Sequence, residues 1–169
     1  IEHLNLLKNP GYQLNCNLNP ILSCGPVMES ETATQFGFPN PLIGLAVFSA
    51  QALLGIVLLA GAKMKTWFWK LYGLGILGGL GFVFWLMFQS MYNIKALCIY
   101  CMISWTVMFI SAWYTLQFML VEKHITLPNK KIQQFLVKYP NEILLSWFLV
   151  ITGLILYEFW YFFGPELGF

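Results

Sequence analysis

Long stretches without any charged residue alternate along this chain with short segments that carry lysine or glutamate. A helix needs about 20 predominantly apolar residues to cross a bilayer, so stretches of this length indicate membrane-spanning helices. The charge-free stretches cover residues 32–62, 71–94, 96–121 and 143–157. We therefore predict four spanning helices, at roughly 41–62, 68–92, 97–121 and 142–163.

The composition of the chain supports this interpretation. Hydrophobic residues make up 59% of the 169 residues, and charged residues only 9%. A soluble domain carries roughly 25% charged residues, so this chain lacks the polar surface that it would need to face water on all sides. The pattern predicts an all-α integral membrane protein and excludes a soluble globular domain.

The first part of the chain, residues 1–40, is rich in turn-forming Asn, Gly and Pro. Within it, residues 26–35 are expected to form a short half-helix that begins at a proline and lies along the membrane surface. Phe36 and Phe38 would anchor this half-helix in the interface. Asn40 and the proline after it suit the start of the first spanning helix, with Asn40 as its N-cap.

The distribution of the lysines predicts the orientation of the spans. Lysines alone are counted because the chain contains no Arg. If the spans alternate in direction, seven lysines fall on one side and only Lys8 and Lys95 on the other. Cytoplasmic loops carry an excess of Lys, so the side with seven is predicted to be cytoplasmic. Residues 1–40, the 92–97 turn and the C-terminus then face outwards. Because the chain begins at Ile1 without a signal peptide, we expect that a signal-anchor helix precedes it.

Two cysteine pairs fall on the predicted outer side, where disulfides persist. Cys16 and Cys24 lie in the N-terminal loop, and Cys98 and Cys101 form a C-x-x-C where the third span begins. The free N–H groups at a helix start favour a thiolate at Cys98, and Cys101 lies one turn further along the same face. We expect Cys98 to be the exposed partner and Cys101 to face the membrane interior. Electrons would then enter at Cys98 by thiol–disulfide exchange and leave from Cys101.

A buried electron acceptor is needed for such a pathway. The sequence contains no glycine-rich dinucleotide motif and no C-x-x-C-H haem motif. A lipid-soluble quinone would fit, because it needs only an apolar pocket with a few polar groups. No metal, flavin or haem is expected.

Other interpretations of the cysteines stay open on this reasoning. Cys98 and Cys101 could form a static disulfide, and Cys16 and Cys24 could staple a loop in a non-catalytic membrane protein that acts in binding or assembly. Four cysteines could also hold zinc. However, the C-x7-C spacing of the first pair is wider than the usual zinc hairpin, and the outer side does not keep thiolates reduced.

Three segments of the chain are distinctive when they are taken together. They are Asn17-Leu18-Asn19-Pro20 with Ser23-Cys24-Gly25, then Phe38-Pro39-Asn40-Pro41-Leu42-Ile43-Gly44, and finally Ala96-Leu97-Cys98-Ile99-Tyr100-Cys101. In sequence and in order they resemble the bacterial vitamin K epoxide reductase (VKOR) family. The resemblance implies a four-helix bundle around a quinone, capped by the loop and half-helix, with a further helix outside. The first helix of that bundle is expected to be missing from this chain.

The resemblance also implies roles for individual residues. Cys101 matches the cysteine next to the quinone, and Cys98 matches its partner, which exchanges with the loop. Cys24 matches the loop cysteine that attacks the C-x-x-C disulfide, and Cys16 the one that faces an outside redox partner. Asn40 matches an asparagine that hydrogen-bonds a quinone carbonyl. Further candidates for the pocket are Ser30, Met28, Phe36, Phe38 and Trp105.

The resemblance implies partners and a location as well. It implies a thiol:quinone oxidoreductase that takes electrons from a thioredoxin-like (DsbA-like) protein outside the cytoplasm and reduces ubiquinone or menaquinone. The location would be the bacterial inner membrane, with the cysteines on the periplasmic side and no nucleic-acid partner. A DsbB-type enzyme is disfavoured, since there the C-x-x-C precedes the wider-spaced pair.

We predict a single membrane domain over residues 1–169. Its parts are an extracytoplasmic loop with the half-helix (1–40), three core spans (41–121), a cytoplasmic connector (122–140) and a peripheral last helix (141–169).

Overall fold

The computed structural model describes residues 16–17, 19, 21–160 and 162. Every regular element in this part of the chain is a helix. The elements are α1 (Gly25–Glu29), a short 3₁₀ helix (Glu31–Thr34), α2 (Asn40–Leu59), α3 (Thr66–Phe88) with a π-helix (Gln89–Ile94) after it, α4 (Ile99–Val121), α5 (Lys130–Lys138) and α6 (Pro140–Glu158).

Four helices of the described chain, namely α2, α3 with its π-helix, α4 and α6, are long and apolar enough to cross a membrane. This confirms the all-α class and the predicted number of spans. Most of their apolar side chains are exposed in the isolated chain: α2 contains no buried residue. Such surfaces are stable in lipid, where apolar side chains need no cover. The chain is therefore a multi-pass membrane protein.

The ends of the spans differ from the predicted ends by a few residues. α2 ends at Leu59 instead of residue 62, and Gly61 follows it with a φ of 91°. Glycine adopts this left-handed conformation at little cost and so ends the helix early. α6 ends at Glu158, and part of the predicted remainder up to residue 163 lies outside the described residues.

The predicted half-helix is divided into two pieces, α1 and the 3₁₀ helix. Ser30 separates them with an extended backbone at φ −68° and ψ 148°. Its hydroxyl donates a hydrogen bond to the carbonyl of Val27 at 2.7 Å. Serine hydroxyls that bond to nearby carbonyls compete with the helical pattern, so the single helix predicted over residues 26–35 was wrong at this position.

The chain divides into two compact units. The first contains the described residues up to Met64 together with Phe84–Trp105. It holds all four cysteines, α1, the 3₁₀ helix, α2 and the π-helix. The second contains Lys65–Val83 and the described residues from Thr106 onwards, which include α5 and α6.

Close helix contacts in the second unit involve two glycines of α3. A Cβ placed on Gly79 would lie 2.6 Å from Met108 Cε, and one on Gly73 would lie 2.9 Å from Met119 Sδ. These glycines therefore let the methionines of α4 approach the α3 backbone closely. Gly75, in contrast, has open space around its Cβ position.

Candidate redox site

A short backbone pairing in the first unit brings the N-terminal loop to the start of α4. Leu22 and Leu97 form an isolated parallel bridge. In it the Leu97 N–H donates to the Ile21 carbonyl at 2.7 Å, and the Ser23 N–H donates to the Leu97 carbonyl at 3.0 Å. Cys24 and Cys98 directly follow these paired segments, so the bridge sets the two cysteines beside each other.

Asn17 fixes the backbone at Cys24. Its Oδ1 accepts hydrogen bonds from the Cys24 N–H at 2.9 Å, the Gly25 N–H at 3.2 Å and the Ser23 hydroxyl at 3.0 Å. The N–H groups of Cys24 and Gly25 are at the start of α1 and have no partner within the helix. We did not predict this role from the sequence, where Asn17 was only part of a motif. The position of an Asn shortly before Cys24 was the available signal.

The segment before Cys98 is held from its other side by the π-helix. The Ser90 hydroxyl is buried and donates to the Ala96 carbonyl, and the Ala96 N–H donates back to the Ser90 carbonyl at 3.2 Å. Lys95 makes the necessary reversal in the left-handed conformation, with a φ of 55°. These bonds hold Ala96 and Leu97 where the loop can pair with them.

All four cysteines meet in one cluster. Cys16 and Cys24 form a disulfide with their Cα atoms 5.7 Å apart, whereas Cys98 and Cys101 are free thiols. Cys16, Cys24 and Cys98 are buried together, and Cys101 packs against them with Val27 and Met28. The sequence-based expectation that Cys98 is the exposed partner was wrong. Cys98 is 1% exposed, because the loop with its disulfide covers it, and Cys101 is only partly buried.

The geometry at the start of α4 activates Cys98. A hydrogen bond from the Cys101 thiol lowers the pKa of Cys98 to about 7, with help from the backbone N–H groups of Cys101 and Tyr100 and against the effect of burial. A thiolate, not a thiol, is the nucleophile in disulfide exchange. The direction agrees with the prediction from the helix start, since α4 begins at Ile99.

Asn40 lies at the start of α2 but does not cap it. The N-cap is Pro39, and no side chain bonds to the free N–H groups there. Instead, the Asn40 side-chain Nδ2 donates to the Thr32 carbonyl at 2.6 Å. Its Oδ1 is buried and has no hydrogen-bond partner. Because a buried polar atom without a partner costs free energy, this oxygen is a candidate contact for a ligand.

The hydroxyl groups of Ser30 and Thr32 hold in place the segment that Asn40 contacts. The Ser30 and Thr32 hydroxyls lie 2.7 Å apart, and Ser30 donates to the Val27 carbonyl. Since Ser30 uses its hydrogen on Val27, Thr32 must donate to Ser30. The chain of bonds holds the Thr32 carbonyl in place for Asn40.

The remaining predicted pocket residues have different environments. Met28 packs against the cysteine cluster. Trp105 is buried and lies one turn after Cys101 on the same face of α4. Phe36 and Phe38 are exposed, with ring centroids 6.4 Å apart.

The model of the vitamin K epoxide reductase family matches residues 1–116. The chain belongs to this family. The matched region includes the four cysteines, Asn40 and the start of α4, and it ends before α5 and α6. Membership in the vitamin K epoxide reductase family makes the chain an oxidoreductase of a class that acts on quinones. No curated protein and no solved structure matches the chain.

Proposed function

We propose that this protein is a membrane thiol:quinone oxidoreductase that supports disulfide formation. Electrons pass from a thioredoxin-like protein through Cys16 and Cys24 to Cys98 and Cys101, and then to a quinone. The observation that carries the proposal is the buried cluster in which a loop disulfide lies against the two thiols of the C-x-x-C.

The first step is exchange with the external protein. A thiolate of the reduced partner attacks Cys16 in the Cys16–Cys24 disulfide, and Cys24 leaves as a thiolate. The second partner thiol then attacks the mixed disulfide. The partner leaves oxidised, and Cys16 and Cys24 are both reduced, so one electron pair and its protons have been transferred.

The second step is exchange within the protein. Cys24 attacks Cys98 in a Cys98–Cys101 disulfide and releases Cys101, and Cys16 then attacks Cys24 and releases Cys98. This restores the Cys16–Cys24 disulfide and leaves Cys98 and Cys101 reduced, which is the combination found in the structure. The Leu22–Leu97 bridge keeps the two attacking segments side by side.

The residues around Asn40 fit a quinone or its reduced form. The buried Oδ1 of Asn40 can accept a hydrogen bond from a hydroquinone hydroxyl, and the second hydrogen on Nδ2 can reach a quinone carbonyl. A bound quinone supplies the electron-accepting chemistry: it takes up two electrons and two protons while Cys98 and Cys101 close to a disulfide. In this step Asn40 orients the ring, and Cys101 is the cysteine nearest to it. Met28, Trp105, Ser30, Phe36 and Phe38 are proposed to line or cover the pocket.

The orientation of the protein in the membrane is inferred from the distribution of its lysines. The proposed location is the bacterial inner membrane, with the cysteine cluster on the periplasmic side and the connector between α4 and α6 in the cytoplasm. The periplasm is oxidising and contains thioredoxin-like proteins, which suits an electron donor of that class.

The first experiment measures turnover. The full chain in lipid nanodiscs is mixed with a reduced thioredoxin-like protein and either ubiquinone or menaquinone, and quinone reduction is followed by absorbance. Cys101→Ala should remove the activity. Ser104→Ala is the matched control, because Ser104 lies on the same helix with an exposed hydroxyl, and it should retain full activity. Quinone reduction by the Cys101→Ala protein would refute the assigned roles.

A second experiment tests whether the pairs exchange partners. The double variant Cys16→Ser/Cys101→Ser retains only Cys24 and Cys98, which should join quantitatively on mild oxidation because they share one buried cluster. A non-catalytic protein with static disulfides predicts instead that the wild-type pairs resist mild reductant and never exchange. Failure of Cys24 and Cys98 to join would favour that alternative.

A further inference from the structure

The connector helix α5 in the second unit has two chemically distinct faces. Ile132 and Phe135 are three residues apart and so lie on one side of the helix, and the ring of Tyr139, the residue after its last turn, lies 5.4 Å from the ring of Phe135. Ile132 is 52% exposed and Phe135 is 55% exposed. Lys130 lies on the opposite side of the helix, and Lys131 and Lys138 lie on the flank beside Phe135.

Hydrogen bonds from α4 hold the C-terminal end of α5 in place. Pro140 has no N–H, so it cannot donate to the Leu136 carbonyl as a helical residue would. Gln117 of α4 supplies the missing donor through Nε2 at 3.0 Å, and Trp113 Nε1 donates to the Pro140 carbonyl at 2.9 Å. The C-terminal end of α5 therefore lies beside the last turns of α4.

The position of Gln117 along α4 gives the distance of the bonded end of α5 from the end of α4. Gln117 precedes the end of α4 at Val121 by about one turn, or about 6 Å at 1.5 Å per residue. Amphipathic helices in a membrane interface bury their apolar face about 5–10 Å into the boundary between headgroups and acyl chains. With the end of α4 taken as the membrane surface, the bonded end of α5 lies at the depth of that boundary.

We propose that α5 is an in-plane anchor that binds the headgroups of anionic phospholipids. Ile132, Phe135 and Tyr139 enter the acyl region, and the three lysines of α5 contact the phosphates. Two observations select the bilayer as the occupant of the apolar face. α5 runs directly into the spanning helix α6, and lysines border the apolar face, where their side chains can reach lipid phosphates. Lys138 Nζ lies 5.1 Å from the centre of the Tyr139 ring, which places this amine beside the apolar residues.

The lipid preference is tested with the full chain purified in nanodiscs of mixed phosphatidylglycerol and phosphatidylcholine. Native mass spectrometry counts the lipids of each class that stay bound. The triple variant Lys130→Gln/Lys131→Gln/Lys138→Gln should reduce the preference for phosphatidylglycerol at least fivefold, since each Lys near an anionic surface contributes about a fivefold effect. The triple variant Lys130→Arg/Lys131→Arg/Lys138→Arg keeps the charge at the same positions and should keep the preference within about twofold. Equal loss in both variants would overturn the proposal.

The apolar face is tested by photocrosslinking in the same nanodiscs. Phe135→p-benzoylphenylalanine should give a lipid adduct, and the same replacement at Gln134, on the polar side, should not. A covalent dimer at position 135 in place of the lipid adduct would show that the face contacts a second copy, and the proposal would be wrong. Absence of any adduct at position 135, with normal photolysis, would also overturn it.

Discussion

At the scale of single residues, Asn17 stabilises the loop around Cys24 through one side-chain oxygen. One side-chain oxygen accepts from the N–H groups of Cys24 and Gly25 and from the Ser23 hydroxyl. We expect Asn17→Ala to destabilise the protein by about 1–3 kcal/mol, because the N–H groups of the buried residues Cys24 and Gly25 lose their acceptor, and to slow exchange at Cys24. Thermal unfolding in detergent and the turnover assay measure the two effects.

The matched control for this change is Asn17→Asp. Aspartate keeps an acceptor oxygen at the same place and should retain most of the stability. If Asn17→Asp unfolded as easily as Asn17→Ala, the oxygen would not be the group that matters.

Cys98 provides a pH-dependent prediction. Its pKa is lowered to about 7 chiefly by the hydrogen bond from the Cys101 thiol. Below that pH the sulfur is protonated and unreactive, and above it the thiolate dominates. Thiolate absorbance, taken as the difference between wild type and Cys98→Ser, should therefore rise with a midpoint near pH 7. Cys101→Ala removes the donor, and the midpoint should move upwards towards that of an ordinary cysteine.

The sequence allowed some of these roles to be predicted. The spacing of Cys98 and Cys101 and the helix start were local features, so the lowered pKa of Cys98 could be expected. Its burial could not, because it depends on a loop more than 70 residues earlier in the chain. Asn40 suited a helix cap equally well in the sequence, and only its bond to the Thr32 carbonyl distinguishes the two roles.

At the scale of elements, the π-helix determines how the chain enters the site. The buried Ser90 hydroxyl bonds to the Ala96 carbonyl just before the bridge to the loop. Ser90→Ala removes the hydroxyl that donates to the buried Ala96 carbonyl and should lower the free energy of unfolding by about 1–3 kcal/mol. Ser104→Ala is a suitable control, since it removes a similar but exposed bond and should change stability by less than about 0.5 kcal/mol. Equal effects of both changes would mean that burial of the bond is not decisive.

The packing of α3 gives a second prediction at this scale. Gly75 and Gly79 form a G-x-x-x-G pattern, which is typical of close helix contacts, but only at Gly79 would a Cβ meet a neighbour, Met108. Gly79→Leu should overpack this contact and destabilise the protein by about 1–3 kcal/mol. Gly75→Leu meets open space and should be tolerated. Unfolding in detergent distinguishes the two, and a larger loss for Gly75→Leu would contradict the assigned contact. Sequence spacing alone could not tell which glycine faces a partner.

At the scale of the whole molecule, the number of spans followed directly from the charge-free stretches, because the cost of placing lysine in lipid is large. Helix ends were less predictable, since they depend on single residues such as Gly61. The division into two units had no signature in the sequence, because it depends on which distant helices pack together.

The lysine asymmetry leads to a prediction for the chain in its native membrane. The connectors after α2 and α4 should face the cytoplasm, and the turn before α4 should face the opposite side with the cysteines. A membrane-impermeant amine reagent should therefore label Lys95 in right-side-out vesicles. It should label Lys123, Lys130 and Lys131 only in inverted vesicles, and permeabilised vesicles provide the total for each site. The reverse pattern would place the cysteine cluster in the reducing cytoplasm, where the Cys16–Cys24 disulfide would not persist, and it would contradict the proposed role in disulfide formation outside the cytoplasm.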